Sequence, residues 1–187
     1  NLYKLTGNNG YLKASESYLE SLLRSSIKTK NGISWGYPFD WQTSWGNYRK
    51  HTPLITTTPY CLEAFIDYAS SVNKDKYNEE ILLITSALSE DFPSFFIDSK
   101  TLSSNYGSLD DNNNLIINAS SYRAYGLSLG YQYTGNKKYI KGCRKHINFV
   151  LESQNADGSW YYSNESNSSK FVDHFHTCFV LKNLIKS

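Results

Sequence analysis

The chain has no methionine, only 4 prolines and only 3 cysteines. Because methionine is missing even at position 1, the sequence reads as a processed or truncated piece. Cys61, Cys143 and Cys178 are too few and too scattered for a disulfide framework. Each falls in an apolar helical pattern, where a free thiol behaves as a small hydrophobe, and this points to a reducing, cytoplasmic compartment. No run approaches the roughly 20 apolar residues of a membrane span. Charge of one sign is lacking too: 19 basic against 17 acidic residues leave a net +2, which recommends neither nucleic acid nor an anionic membrane as partner. No secretory leader pattern opens the chain, and Asn118-Ala119-Ser120, Asn164-Glu165-Ser166 and Asn167-Ser168-Ser169 match the glycosylation tripeptide only as short, common patterns.

Aromatic residues are abundant, at 16% of the chain with 16 tyrosines and 4 tryptophans. Their rings suit half-wet surfaces, the kind that contact ligands. The chain also repeats itself. Tyr3-Lys4-Leu5-Thr6-Gly7-Asn8 returns as Tyr131-Gln132-Tyr133-Thr134-Gly135-Asn136, with a degenerate copy ahead of Tyr77. After each copy an amphipathic helix begins, headed by Tyr11, Tyr77 and Tyr139 and striped by residues three and four apart, such as Tyr139, Cys143, Ile147 and Val150. Each is followed by a helix apolar on most sides: Tyr60 to Val72, Ala119 to Tyr131 and Phe175 to Ile185. A helix apolar all round needs enclosure, and a striped one covers it from outside. The expectation is one all-α domain over residues 1–187, built of three helical hairpins as in an (α/α) toroid or a solenoid.

The outer-to-inner connectors are long, roughly 29 residues from Lys28 to Thr56, 24 from Pro93 to Ile116 and 21 from Glu152 to Val172. Structureless loops beyond about 12 to 15 residues are uncommon in compact domains unless they are functional. Since the helices alternate in direction, all three connectors are expected on one face, and the site with them. The first holds Gly32-Ile33-Ser34-Trp35-Gly36-Tyr37-Pro38-Phe39-Asp40-Trp41-Gln42, then Trp45, Tyr48, Arg49 and His51. Indoles and phenols stack on sugar rings or isoprenoids, while Asp, Gln and Arg bond hydroxyls or phosphates. Trp35, Tyr37, Trp41 and Gln42 are therefore substrate-binding candidates, against the alternative that the rings plug the helical barrel.

In the second connector, Asp110-Asp111 is the chain's only Asp-Asp pair, and Asn118 and Tyr122 open the second inner helix as binding candidates. Arg123, inside an otherwise apolar helix, calls for a carboxylate partner. The third connector carries the Asp157-Gly158 turn, Trp160, and the run Asp173-His174-Phe175-His176-Thr177-Cys178. Imidazole titrates near neutrality and a carboxylate beside it fixes its tautomer, so Asp173 and His176 are the proton-transfer candidates, with Asp40 as a further acid and Trp160 and His174 as binding residues. The competing reading makes Asp173 a helix cap and His176 a core residue. Asp173, His176 and Cys178 include zinc-binding types, but positions two apart on a helix face different ways and no CxxC or HExxH is present, so no metal or other cofactor is expected.

Gly36-Tyr37-Pro38-Phe39-Asp40-Trp41-Gln42, Asp157-Gly158-Ser159-Trp160 and Asp173-x-Phe175-His176-Thr177 together resemble bacterial α/α-toroid proteins encoded with polysaccharide biosynthesis genes, of terpenoid cyclase-like or six-hairpin-like kind. That resemblance implies a toroid fold and a glycan or other small-molecule substrate, with hydrolase, lyase or epimerase chemistry. In that family the last motif tends to read Asp-Asn-Phe-His-Thr-Gly, so His174 and Cys178 depart from it. The same run is similar to a helix start in protein prenyltransferase β subunits, where the histidine binds zinc, but their Asp-x-Cys ligand pair is missing here. An isoprenoid enzyme and a non-catalytic scaffold stay open as alternatives. Closed toroids hold more hairpins than this chain supplies, which implies the C-terminal part of a longer toroid or an open half-ring that pairs with another chain.

Overall fold

The computed structural model describes residues 2–43, 46–110, 113–165 and 170–187. Its helices are α1 (Leu2–Thr6), α2 (Asn9–Arg24), α3 (Thr58–Val72), α4 (Asn78–Glu90), α5 (Ile117–Thr134), α6 (Lys137–Glu152) and α7 (His174–Lys186). Between them lie six strands of two or three residues: β1 (Ile27–Lys28), β2 (Ile33–Ser34), β3 (Trp41–Thr43), β4 (Gly46–Tyr48), β5 (Ser94–Phe96) and β6 (Leu102–Ser104). They pair as three separate antiparallel two-stranded sheets, β1 with β2, β3 with β4 and β5 with β6. The all-α expectation is therefore wrong: the chain is a mixed α/β protein, with hairpins inside the first two long connectors. Strands this short show no alternation that can be told from a loop, since a half-buried strand declares itself only over about four to eight residues. Isolated bridges stitch the connectors further, Leu54 to Gly107 and Ile116 to Ser163.

The centre is α5, which packs against α3, α4, α6 and α7 and buries residues on every side. α3 buries a stripe of Leu62, Phe65 and Ala69, three and four apart, with Cys61 beside it, after Pro59 has set its first turn. Full burial of a side chain such as Leu62 or Phe65 contributes about 1.5–3 kcal/mol. This main cluster takes in Ile81, Ile84 and Leu88 of α4, together with Trp35, Leu54 and Ile55 of the first connector. A second cluster joins Ile117, Phe149, Val150, Trp160 and Val180. α7 is less enclosed than its composition suggests. It buries only Val180 and Asn183, and Phe175 and Ile185 are 67% and 85% exposed.

Arg123 is almost fully buried, and its partners are carbonyls rather than the expected carboxylate. One guanidinium nitrogen donates to the Phe92 carbonyl at 3.0 Å and the other to the Ser89 carbonyl at 2.9 Å. Both acceptors sit at the C-terminal end of α4, where unpaired carbonyls and the helix dipole gather partial negative charge. Burial lowers the Arg123 pKa to about 10, against the pull of nearby Glu90 and Asp91, so the group stays cationic at neutral pH and ties α5 to α4. Among the described residues, no helix is long and apolar enough to cross a membrane.

Candidate active site

The first connector folds back on itself between Trp35 and Leu54. Leu54 N–H donates to the Trp35 carbonyl and His51 N–H to the Tyr37 carbonyl, each at 2.8 Å. A side chain at Gly36 would put its Cβ 1.9 Å from the Thr52 carbonyl oxygen, so the two arms close only around glycine. Asp40 Oδ1 accepts the Lys50 N–H at 2.7 Å and steadies the far end. In β3 the side chains alternate, Trp41 to one face and exposed Gln42 to the other. Trp41 stacks on Tyr48 with ring centroids 5.4 Å apart and meets Tyr37 and Tyr106 edge-on, each at 5.5 Å. Such pairs contribute about 0.5–1.5 kcal/mol each beyond their burial, which holds the indole in place before any ligand arrives.

Tyr37, Trp41 and Tyr106 wall a cavity of about 470 Å³, with Tyr48 behind the indole. The N-terminal ends of three helices complete it: Thr57 at the N-cap and Tyr60 of α3, Asn118 and Tyr122 of α5, and Phe175, His176 and Phe179 of α7. Tyr162 closes the third side. Tyr162 and Tyr106 hydroxyls lie 2.7 Å apart, and Tyr106 donates onward to Asn118 Oδ1 at 2.9 Å. With its one proton committed to Asn118, Tyr106 accepts from Tyr162, and the Asn118 Nδ2 protons are left for the cavity. Tyr60 and Tyr122 hydroxyls pair at 3.1 Å. Burial first, then the neighbouring phenols and their hydrogen bonds, raises the Tyr106 and Tyr122 pKa values. Both stay neutral donors at physiological pH.

His176 stands at the mouth of α7. Asp173 caps that helix through Oδ1, which accepts the His176 N–H at 2.7 Å, while Oδ2 lies 2.6 Å from His176 Nδ1. The cap and the tautomer-fixing partner, alternatives on sequence, are thus one carboxylate. Partial burial pushes the Asp173 carboxyl upward, but the His176 backbone and ring hydrogen bonds prevail and hold it below its ordinary range. The imidazole also meets the Tyr162 ring edge-on at 4.5 Å. With Nδ1 engaged, Nε2 is the ring nitrogen open to a ligand.

Of the residues singled out from sequence, Tyr37, Trp41, Asn118, Tyr122 and His176 line this cavity, with Asp173 behind His176. The others lie elsewhere. Trp35 is 4% exposed, and its indole donates to the Leu22 carbonyl at 2.9 Å, plugging the core. Trp160 is delivered by the Asp157 turn into the second cluster, where it donates to the Val150 carbonyl at 2.8 Å. Asp40, Gln42 and His174 are exposed and outside the lining. Trp45 and Asp111 lie outside the described residues. Cys178 is exposed, and among the described residues no group of three His, Cys, Asp or Glu could hold a metal ion. Sequence reasoning did not select Tyr60, Tyr162 or Phe179 for this wall. The available signal was position, since Tyr60 and Phe179 each lie within the first turns of an inner helix, as Tyr122 does.

In comparisons with protein-family models, curated proteins and solved structures, nothing matches this chain.

Proposed function

We propose that this cavity binds a neutral, hydroxylated ring, a sugar unit of a glycan, and that His176 serves there as a general base oriented by Asp173. The observation that carries the reading is the wall itself. Aromatic faces from Tyr37 and Trp41, a carboxamide from Asn118 and a phenol pair at Tyr60 and Tyr122 face one cavity with His176, and among the described residues none that lines it is Lys, Arg, Asp or Glu. Flat apolar faces plus a few fixed donors suit a ring that is greasy on its faces and polar at its rim. A diphosphate sunk in the same place would meet no Lys or Arg among the described lining residues, which disfavours the prenyl-diphosphate alternative. A base at Nε2 could take a proton from a sugar hydroxyl or from water while Asp173 stabilises the imidazolium that forms. This keeps the carbohydrate context, in polysaccharide biosynthesis, that the motif resemblance suggests.

The test is a binding screen read by Trp41 fluorescence and by nuclear magnetic resonance, with neutral oligosaccharides, uronate oligosaccharides and prenyl diphosphates as probes. Neutral oligosaccharides should bind, Trp41→Ala should abolish that binding, and His176→Gln should keep binding but lose turnover. Selective binding of prenyl diphosphates, or glycan binding that ignores Trp41→Ala, would overturn the reading.

A further inference from the structure

A second cavity, of about 500 Å³, opens between α2 and α3 beside α1. Leu2 and Tyr18 at this groove are 56% and 74% exposed. What it is shaped for can be read from the chain's own repeat, because Leu2 to Leu22 corresponds residue by residue, without a gap, to Gly130 to Val150.

The correspondence holds at the level of hydrogen bonds. Gly7 and Gly135 have φ of 67° and 69°. Gly7 N–H donates to the Tyr3 carbonyl, and Gly135 N–H to the Tyr131 carbonyl, both at 2.8 Å. The Thr6 hydroxyl donates to the Leu2 carbonyl at 2.8 Å, and Thr134 to Gly130 at 2.7 Å. Asn8 caps α2 through the Gly10 N–H, and Asn136 caps α6 through the Lys138 N–H. α1 therefore reproduces the last turn of α5, and α2 reproduces α6.

The walls of the groove match in the same way. On α2 they include Tyr11, Leu12, Ala14, Ser15 and Leu19. Their counterparts on α6 are Tyr139, Ile140, Gly142, Cys143 and Ile147. Four of these pack in the cluster around Ala124 and Leu127 of α5, and Gly142 lies so close to Leu127 that a Cβ there would come within 3.1 Å of it. On α3 the groove is lined by Ala64, Asp67, Tyr68 and Ser71. Counted from the helix starts, again without a gap, these correspond to Val180, Asn183, Leu184 and Ser187. Asn183 donates to the Ser121 hydroxyl at 3.0 Å, Ser187 accepts from Ser128 at 2.9 Å, and Val180 and Leu184 pack with Ile117. Both walls are thus built from the positions that elsewhere hold α5.

We infer that this groove is the socket of an α-helix seated as α5 is seated between α6 and α7, continuous in the N-terminal direction with Leu2, so that α1 is its final turn. A separate helix or the α7 of a second copy would bring its own last turn onto the place α1 already fills. Continuity with the α5 interface thus selects a helix that runs into Leu2. On the face turned to α2 and α3 it is small and apolar, with a hydrogen-bond donor opposite Asp67, the counterpart of Asn183. This inference does not depend on the aromatic cavity.

Ser15 occupies the place of Cys143, which is fully buried under α5, whereas Ser15 is exposed. In a Cys178→Ser background, Ser15→Cys therefore makes a thiol reporter of the groove. The 187-residue chain is compared with a chain whose Leu2 is preceded by a helix carrying Ala124, Leu127 and Ser128 of α5 in register, Asn in the place of Ser121, and Glu, Lys and Gln elsewhere; a scrambled extension is the control. The in-register extension should slow labelling by about tenfold or more and raise the unfolding midpoint by several degrees, and the scrambled one should do neither. Ala14→Arg, pointing a charge into the groove, should cancel both gains. Equal labelling with both extensions would overturn the inference. So would protection of Ser15→Cys in the unextended chain that grows with protein concentration, which would show the groove taken by a second copy.

Discussion

Asp173 holds His176 twice: Oδ1 accepts its backbone N–H at 2.7 Å and Oδ2 lies 2.6 Å from ring Nδ1. Both side chains are about a third exposed, so the pair's worth to stability is the small worth of a cap rather than that of a buried ion pair. Asp173→Asn keeps a good cap and should change stability by no more than about 0.5 kcal/mol, whereas Asp173→Ala should cost about 1 kcal/mol. Turnover on a bound glycan should fall about 10²- to 10⁴-fold in both variants, because neither amide nor methyl stabilises the imidazolium. Because the folded-state carboxyl is held below its ordinary value, its contribution is complete above the unfolded value of about 3.9 and is lost as pH falls through the folded one. Chemical denaturation of wild type and Asp173→Ala between pH 7 and 3 should show the gap closing in acid.

Tyr106→Phe breaks the buried chain from Tyr162 through Tyr106 to Asn118. Tyr106 is 3% exposed, and its two partners each lose a hydrogen bond, for an expected cost of about 1–3 kcal/mol. Nothing then fixes which end of the Asn118 carboxamide faces the cavity. Ligand affinity should weaken about tenfold as a result, from the loss of one oriented hydrogen bond, while the Trp41 fluorescence response to bound ligand persists. Urea denaturation and fluorescence titration measure the two effects separately.

How far the sequence carried these residues follows from the range over which each is positioned. The helices announce themselves over many residues, as in the stripe Tyr139, Cys143, Ile147 and Val150, and the Thr-Gly-Asn turn marks where two of them start. The strands do not, because Trp41 to Thr43 is too short to alternate visibly. Trp35 and Trp41 sit in one aromatic loop and look alike in the sequence. What separates them is that the indole of one reaches the Leu22 carbonyl and the other is held between Tyr48 and Tyr106, and those contacts depend on how the loop closes around Gly36. Arg123 shows the same limit. Its burial was legible from its apolar neighbours, but carbonyl partners at a helix end carry no side-chain signature.

Arg123→Lys should be poorly tolerated despite keeping the charge. The guanidinium reaches the Ser89 and Phe92 carbonyls with two different nitrogens, and a single ammonium at the end of a shorter fork cannot hold both in the same geometry. One buried carbonyl is left without its donor, for an expected loss of about 1–3 kcal/mol. The variant should show a lower denaturation midpoint and faster amide exchange at the last turn of α4.

His146 supplies a pH-dependent effect inside the fold and away from the cavity. It is 1% exposed, and its Nδ1 lies 3.0 Å from the Leu102 carbonyl, where it donates as the neutral ring. Burial, reinforced by the charge of Arg123 and only partly opposed by the bond to Leu102, holds its pKa well below the usual imidazole range. The unfolded chain takes up a proton near pH 6.5 and the folded chain does not, so the unfolded state gains ground as pH falls below that value. The slope contributed by one such group approaches about 1.4 kcal/mol per pH unit. Glutamine in its place can still donate to the Leu102 carbonyl but cannot take up a proton. His146→Gln should therefore be less stable than wild type at pH 7.5 and lose less on going to pH 5. Parallel stability curves over that window would show that His146 takes up its proton within the folded protein.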